Sequence, residues 1–164
     1  MDWQIPLVVM AAVFGAFLVF KFRPAFSRPS RPGGATLREA KARIDAATTD
    51  DARAAALVDA ADICALSLGR GTAAIGYYLR AMRLQPADPG IIERAAVGFV
   101  RRPRALEALL WRRLGAEPWT GATKAAAVAA LRHLARLYSG PLRNAVRARA
   151  LEHAHAALEA PSKS

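Results

Sequence analysis

The sequence predicts an all-α protein in which a single N-terminal transmembrane helix precedes a stack of about three α-hairpins. Three observations lead to this prediction. The sixteen residues from Ile5 to Phe20 include no charged or strongly polar side chain. Alanine and leucine, which favour helices, dominate the rest of the chain, where β-branched residues are few. Glycine and proline cluster at intervals that divide this remainder into helix-length stretches.

The apolar run is interpreted as an uncleaved membrane anchor over residues 1–22. With its aromatic flanks it approaches the roughly 20 residues that a helix needs to cross a bilayer, where only a helix satisfies its own backbone. The alternatives are a cleaved signal peptide and a buried helix of a soluble domain. A signal peptide carries basic residues before its apolar run, whereas every basic residue here follows it. The anchor residues are Trp3, Ile5, Phe14, Phe17, Phe20 and Phe22.

The residues after the anchor predict its orientation. Lys21, Arg23, Arg28 and Arg31 follow the run with no acid among them, and basic residues near a span favour the cytoplasmic side. We therefore expect the N-terminus outside and the domain in the cytoplasm, at the inner membrane if the source is bacterial. Residues 23–35 form a linker whose three prolines favour extended structure. Anionic lipids would add roughly 1 kcal/mol of attraction for each nearby basic residue.

Residues 36–159 are predicted to form the helical domain. Thr36 is a favourable N-cap and Glu39 completes a capping box, so the first helix should run from about Leu37 to Ala47. Further helices are expected at about 51–68, 72–85, 89–99, after Pro103 as far as Gly115, and at about 122–138 and 141–158, with a polar tail at 160–164. The predicted inward-facing residues include Leu57, Cys64, Tyr78, Met82, Phe99, Leu110, Tyr138, Val146 and Leu151.

The net charge of +11 is unevenly distributed. Residues 35–68 carry four bases and six acids, residues 99–113 carry five bases and one acid, and residues 132–149 carry five bases and no acid. The basic second half suits an acidic protein segment, phospholipid head groups or nucleic acid, or it is only a solubilising surface. The candidate partner-binding residues are Arg101, Arg102, Arg104, Arg112, Arg113, Trp119, Arg132, Arg136, Arg143 and Arg147.

One stretch carries a family pattern. Between Leu68 and Pro86, a turn glycine at Gly69 is followed by Ala74, Tyr78 and Ala81, and Pro86 closes the stretch. This pattern resembles the second half of a tetratricopeptide repeat. The resemblance is specific over these residues, and in outline it extends over much of the domain. It implies a non-catalytic scaffold that offers a concave surface to a peptide or helix of a partner. The alternative is an unrelated right-handed stack of α-hairpins.

The residues that most often carry chemistry do not form a convincing site in the sequence. His153 and His155 are two positions apart, so on a helix they point in nearly opposite directions. Cys64, the one cysteine, lies on an apolar face and is expected in the core. Asp59 and Asp62 lie on one helix with no accompanying nucleophile, so a solvated helix face is expected. The sequence therefore predicts no metal, no cofactor and no enzymatic activity.

The predicted function is that of a membrane-anchored scaffold, adaptor or assembly factor that binds a protein partner. The alternative is a structural accessory subunit of a larger membrane protein complex. Nucleic acid is disfavoured as a partner because neither stacking aromatics nor a groove-reading helix is evident beside the arginines. The membrane lipids would contact the anchor and the basic linker.

Overall fold

A computed structural model of the chain describes residues 32–116 and 118–160, which contain seven α-helices and no β-strand. The all-α prediction is confirmed for these residues, and Gly33–Ser164 forms one compact unit. The predicted anchor at 1–22, residues 23–31 of the linker and residues 161–164 of the tail lie outside the described residues. Within the described ranges, no helix combines the length and the apolarity needed to cross a membrane.

The helices follow one another through short connections. They are α1 (Pro32–Ala46), α2 (Asp50–Asp62), α3 (Gly71–Leu84), α4 (Gly90–Gly98), α5 (Pro103–Ala116), α6 (Lys124–Ser139) and α7 (Ala145–Glu159). A π-helical turn at Ile63–Ser67 extends α2, and a 3₁₀ turn at Gly121–Thr123 leads into α6. The sequence predicts one α-helix as far as Leu68. The structure replaces its end by the wider turn, in which the Leu68 N–H donates to the Ile63 carbonyl oxygen.

The contacts between helices follow the order of the chain. The pairs α2–α3 and α6–α7 make the most extensive contacts, and each of α2, α3 and α4 also contacts the helix two places further along. The helices α2, α4 and α6 thereby form one row of neighbours, which we call the front row, while α3 and α5 contact each other behind it. Such a pattern of nearest-neighbour contacts is typical of a helical stack.

Alanine allows the helices of the stack to approach closely. Ala60, Ala74, Ala81, Ala95 and Ala130 are all fully buried, and larger side chains fill the spaces between them. One of the largest is Tyr78, whose ring centroid lies 5.8 Å from that of Phe99. The predicted core positions at Leu57, Cys64, Tyr78, Met82, Phe99, Leu110, Tyr138 and Leu151 are confirmed as buried.

The predicted start of the first helix is wrong. The helix α1 begins at Pro32, so Thr36 lies within it and is not its N-cap. Proline is tolerated in the first turn of a helix because the amide hydrogens there have no intrahelical acceptor. Leu37 and Ile44 are buried in the core, and their packing favours helix throughout this segment. The last residues of the predicted linker are therefore helical.

The predicted burial of Val146 is also wrong, because its side chain is 75% exposed. The expected helix began at Pro141, but the chain turns through residues 141–144, where Arg143 adopts a positive φ of 48°. The helix α7 starts only at Ala145, and its rotation places Ala148 and Leu151 in the core. Val146 then lies on the opposite face.

Gly98 provides a test of the close packing around Tyr78. A Cβ atom at Gly98 would lie 2.7 Å from the Tyr78 hydroxyl oxygen. We expect Gly98→Ala to lower the free energy of unfolding by about 1–3 kcal/mol, as overpacking does. The double variant with Tyr78→Phe should lose less stability than the sum of the two single losses, because the clash disappears with the hydroxyl and the next contacts, 3.5 Å to Ala65 and 3.7 Å to the Tyr78 ring, are ordinary. Urea unfolding of the full-length chain in a non-ionic detergent, followed by circular dichroism, measures both effects.

Gly76 is the matched control because a Cβ atom there meets nothing within 4 Å. Gly76→Ala should raise the free energy of unfolding by up to about 1 kcal/mol, since alanine favours the helix more than glycine. Equal effects of the two glycine substitutions, or additive effects of Gly98→Ala and Tyr78→Phe, would contradict the proposed contact.

Candidate functional site

The structure divides the predicted partner-binding residues into two groups, and the first group serves the fold. Arg102 donates to the Gly69 carbonyl oxygen at 2.7 Å, across the turn between α2 and α3. Arg104 lies 3.2 Å from the Glu107 carboxylate on its own helix. Because these side chains already have partners within the domain, they are less available to another molecule.

Two further arginines and the tryptophan of this set belong to the same group. Arg132 pairs with Glu93, and so connects α6 with α4. Arg147 donates to the Tyr138 hydroxyl at 3.1 Å, and its guanidinium lies 5.4 Å from the centroid of the Tyr138 ring. Trp119 is half-buried, and its indole N–H donates to the Leu114 carbonyl oxygen at 2.8 Å. These contacts connect neighbouring elements of the stack.

Arg113 differs most from its sequence interpretation. Its side chain is buried, with only 7% of the residue exposed, and it donates to the Pro86 carbonyl oxygen at 2.5 Å. It thereby joins α5 to the turn after α3. The buried side chain serves the packing of the domain, and a contact between Arg113 and a partner stays a prediction. The sequence could not separate it from Arg112, its exposed neighbour.

The second group is exposed. No side-chain hydrogen bond or ion pair to any described residue is made by Arg101, Arg112, Arg136 or Arg143. Their charges are therefore available to another molecule. Arg136 borders a largely apolar groove that contains two exposed valines. Arg112 lines a smaller hollow of about 320 Å³ beside Leu79 and Met82, and none of the described residues in that hollow exposes a large apolar side chain in this way.

We call this feature the valine groove. It lies between α4 and α6 and has a volume of about 540 Å³. Its apolar lining includes Val97, Val100, Leu106 and Leu137, and Arg136 borders it. Val97 is 67% exposed and Val100 is 73% exposed, so the groove is open to solvent along the front row.

The packing of α4 forces both valines outward. Ile92, Ala95 and Phe99 follow each other at three-to-four spacing and face the core. Val97 therefore lies on the other side of α4. Val100 lies in the turn that follows the end of this helix at Gly98. The sequence analysis missed this second apolar face of α4, although the three-residue spacing of Val97 and Val100 could have indicated it. The sequence did not show that α6 packs beside this face.

A charged cluster closes one end of the valine groove. Glu93 on α4 pairs with Arg132 and also lies 2.8 Å from the Nε2 atom of His133 on α6. Desolvation alone raises the pKa of Glu93. The hydrogen bond and charge of His133, followed by those of Arg132, outweigh it and bring the pKa below its ordinary value. At this end of the groove the ionised carboxylate of Glu93 therefore links α4 to Arg132 and His133 of α6.

Asp59 and Asp62 are part of the front row as well. Asp59 lies 2.9 Å from Arg43 on α1 and 3.2 Å from Arg94 on α4, and Arg94 also pairs with Asp62. The sequence analysis placed these carboxylates on a solvated helix face. The structure instead uses them to join α1, α2 and α4, and both are partly shielded from solvent.

Cys64 is 1% exposed, as the sequence predicts for a core cysteine. Burial raises the pKa of its thiol, against smaller opposing effects from Arg70 and Lys41. The thiol therefore stays protonated at neutral pH and fills space in the core. This residue takes no part in the valine groove.

No protein-family model, curated protein or solved structure matches the chain. The interpretation of the groove therefore depends on its own geometry and chemistry.

Replacing the adjacent residues Arg113 and Arg112 separates the structural arginines from the available ones. Arg113→Ala should lower the free energy of unfolding by about 2 kcal/mol, because it removes a buried side chain and leaves the Pro86 carbonyl oxygen unpaired. Arg112→Ala should change it by less than about 0.5 kcal/mol, as at most exposed positions. Urea unfolding of the full-length variants measures both values, and equal losses would contradict the burial of Arg113.

The lowered pKa of Glu93 predicts a pH dependence of stability. A carboxyl group with a lower pKa in the folded state stabilises the fold above its unfolded pKa, and this contribution disappears as the pH falls through the folded pKa. Glu93→Gln should therefore cost less than about 1 kcal/mol at pH 7, since the side chain is 46% exposed. The cost should shrink towards pH 3.

The measurement is urea unfolding of the wild type and Glu93→Gln at several pH values between 7 and 3. Glu152→Gln is the control, because Glu152 is exposed and makes no ion pair with any described residue. A difference between wild type and Glu93→Gln that stays constant over this range would contradict the role of the ion-pair cluster.

Proposed function

We propose that the chain is a membrane-anchored adaptor or assembly factor that binds a protein partner in the valine groove. The observation that carries this proposal is the open apolar surface of Val97 and Val100, which an unpaired arginine borders. Exposed apolar side chains that form a continuous lining are typical of interaction sites. Both valines face solvent because the opposite face of α4 packs in the core, and most of their surface stays uncovered in the described part of the chain.

The helical stack supports the further proposal that the domain is tetratricopeptide-like. Ala74, Tyr78 and Ala81 are fully buried, at the positions where the resemblance implies small residues and an aromatic in the helix contacts. Gly69 has a positive φ of 66° in the turn before α3, a conformation that glycine adopts without a steric cost. Each helix from α2 to α4 contacts the next two, as in a row of about three hairpins.

The chemistry of the groove favours a peptide segment over a small molecule. A small ligand usually binds in a pocket that encloses most of its surface. The two valines, by contrast, are largely open to solvent, so a compact ligand would remain exposed on one side. We propose an apolar segment of a partner protein that places an acidic residue beside Arg136.

The membrane location in this proposal depends on the sequence of residues 1–31. The apolar run would supply the anchor, and Lys21, Arg23, Arg28 and Arg31 would hold the linker on the cytoplasmic surface. The helix α1 begins at Pro32, within the last part of the predicted linker. The domain would then work close to the bilayer, and its partner would be another protein at that membrane.

Photo-crosslinking in the membranes of the source organism tests the proposal. A photoreactive residue replaces Val97 or Val100 in the full-length chain, and mass spectrometry identifies any crosslinked protein. The matched control is Leu66, which is 60% exposed outside the groove. We expect one common protein at positions 97 and 100 that is absent at position 66. The absence of such a protein would overturn the proposed site.

Two further variants separate the proposed function from its alternative. Val97→Glu together with Val100→Glu should weaken binding of the identified partner by at least about tenfold, because a carboxylate in an apolar contact must be desolvated. Replacing residues 1–22 by an unrelated membrane span should leave an adaptor bound to its partner. Loss of the partner with the replaced span, and not with the two glutamates, would instead identify a structural accessory subunit.

A further inference from the structure

A second groove lies at the open end of the stack, between α6 and α7. We call it the end groove. Its walls are one face of α6, which includes Ala135 and Arg136, and one face of α7, which includes Ala148 and Glu152. It consists of two adjoining hollows of about 250 Å³ and about 420 Å³, which share Ser139 and Glu152. No described helix packs on this side of α6 and α7.

The lining of the end groove is strongly basic. Arg136, Arg143 and Arg149 line it, and none of the three pairs with a carboxylate in the part of the chain that the structure describes. Arg132 lies at its edge and already pairs with Glu93. Glu152 is the one acid in the lining. The groove thus presents several unsatisfied positive charges around a small apolar floor.

Within the front row, neighbouring helices are joined by pairs between a carboxylate and a basic side chain. Carboxylates of α2 pair with Arg94 of α4, and Glu93 of α4 pairs with Arg132 and His133 of α6. Each neighbouring pair in the row is therefore joined by a contact between a carboxylate and a cation. The helix α6 contains no acidic residue, and the charged side chains on its free side are arginines. The last helix of the row, α6, thus presents Arg136 on its free side, and no carboxylate of a described residue pairs with it.

We propose that the end groove binds an acidic α-helix of a partner protein, which packs on α6 and α7 as one further helix of the stack. Ala135 is 7% exposed and Ala148 is 4% exposed, so small side chains form the floor and allow a helix to approach closely. Glutamates or aspartates on both flanks of the docked helix would pair with Arg136, Arg143 and Arg149. The end groove shares Arg136 with the valine groove, but its other arginines, Arg143 and Arg149, lie outside that groove. The proposed helix contact therefore does not require that the valine groove be occupied.

The shape of the surface favours a helix over other acidic partners. A bilayer meets a protein on a flat or convex face, whereas these arginines surround a groove between two helices. Single-stranded nucleic acid is usually bound with aromatic side chains that stack on its bases, and no exposed aromatic residue lines this groove. A helix fits both the spacing of α6 and α7 and the charge around them.

A display library tests the proposal on the full-length chain in a non-ionic detergent. The library consists of 20-residue amphipathic helices with a fixed leucine and alanine face and flanks randomised among glutamate, lysine, glutamine and serine. We expect the enriched helices to carry glutamate on both flanks. Their affinity should fall about tenfold in the double variant Arg143→Glu and Arg149→Glu, and it should weaken with added salt.

Two control variants make the result specific. Arg38→Glu with Arg80→Glu changes the net charge by the same amount at exposed positions outside the end groove, and it should preserve the affinity. Val97→Glu with Val100→Glu should also preserve it, because these residues line only the valine groove. If only the Val97→Glu and Val100→Glu variant lost affinity, the helix would bind in the valine groove. That result would overturn the inference about the end groove, and it would leave the proposed function of the valine groove intact.

Three other outcomes would overturn the inference. The first is a selection that enriches no helix, or enriches helices without an acidic bias. The second is an enriched acidic helix that binds the Arg143→Glu and Arg149→Glu variant as tightly as the wild type. The third is binding of anionic phospholipid vesicles or single-stranded nucleic acid that requires Arg143 and Arg149 while no acidic helix is enriched.

Discussion

The buried hydroxyl of Tyr78 fixes the geometry on which the rest of the stack depends. It donates to the Asp62 carboxylate of α2 and occupies the space that a side chain at Gly98 of α4 would need. Desolvation raises the pKa of Tyr78, and the hydrogen bond and charge of Asp62 raise it further, so the phenol remains a donor at neutral pH. One side chain of α3 therefore sets the positions of α2 and α4. With α4 held in this way, Phe99 turns inward and Val97 turns outward.

Properties carried by local patterns could be predicted from the sequence. The all-α class, the approximate helix boundaries and the buried positions of Tyr78 and Cys64 follow from three-to-four spacing and from proline and glycine at the turns. Val146 was misplaced because its burial depends on the rotation of α7, which the left-handed turn at Arg143 determines. A pattern of apolar residues shows that a helix has an inner face, but a short turn can rotate that face away from its expected direction.

The arginines show why the candidate site was harder to predict than the fold. Arg112 and Arg113 are adjacent in the sequence, yet one is exposed and the other bonds to the Pro86 carbonyl, 27 positions away. Likewise, the pairing of Glu93 with His133 joins residues 40 positions apart. Charge composition identified the basic regions correctly, but only the packing of distant segments decides which charges are already neutralised. The available charges are therefore a result of the tertiary structure and cannot be counted from the sequence.

The two grooves meet at Arg136, which borders both of them. A guanidinium group has five N–H donors, so one arginine can bind carboxylates that approach from two sides. An apolar segment in the valine groove and an acidic helix in the end groove would thus lie next to each other across this side chain. If both belong to one partner, binding of the first raises the effective concentration of the second, and two weak contacts combine into a strong one. The position of Arg136 at the last helix of the front row makes such a two-part contact geometrically possible without any change in the stack.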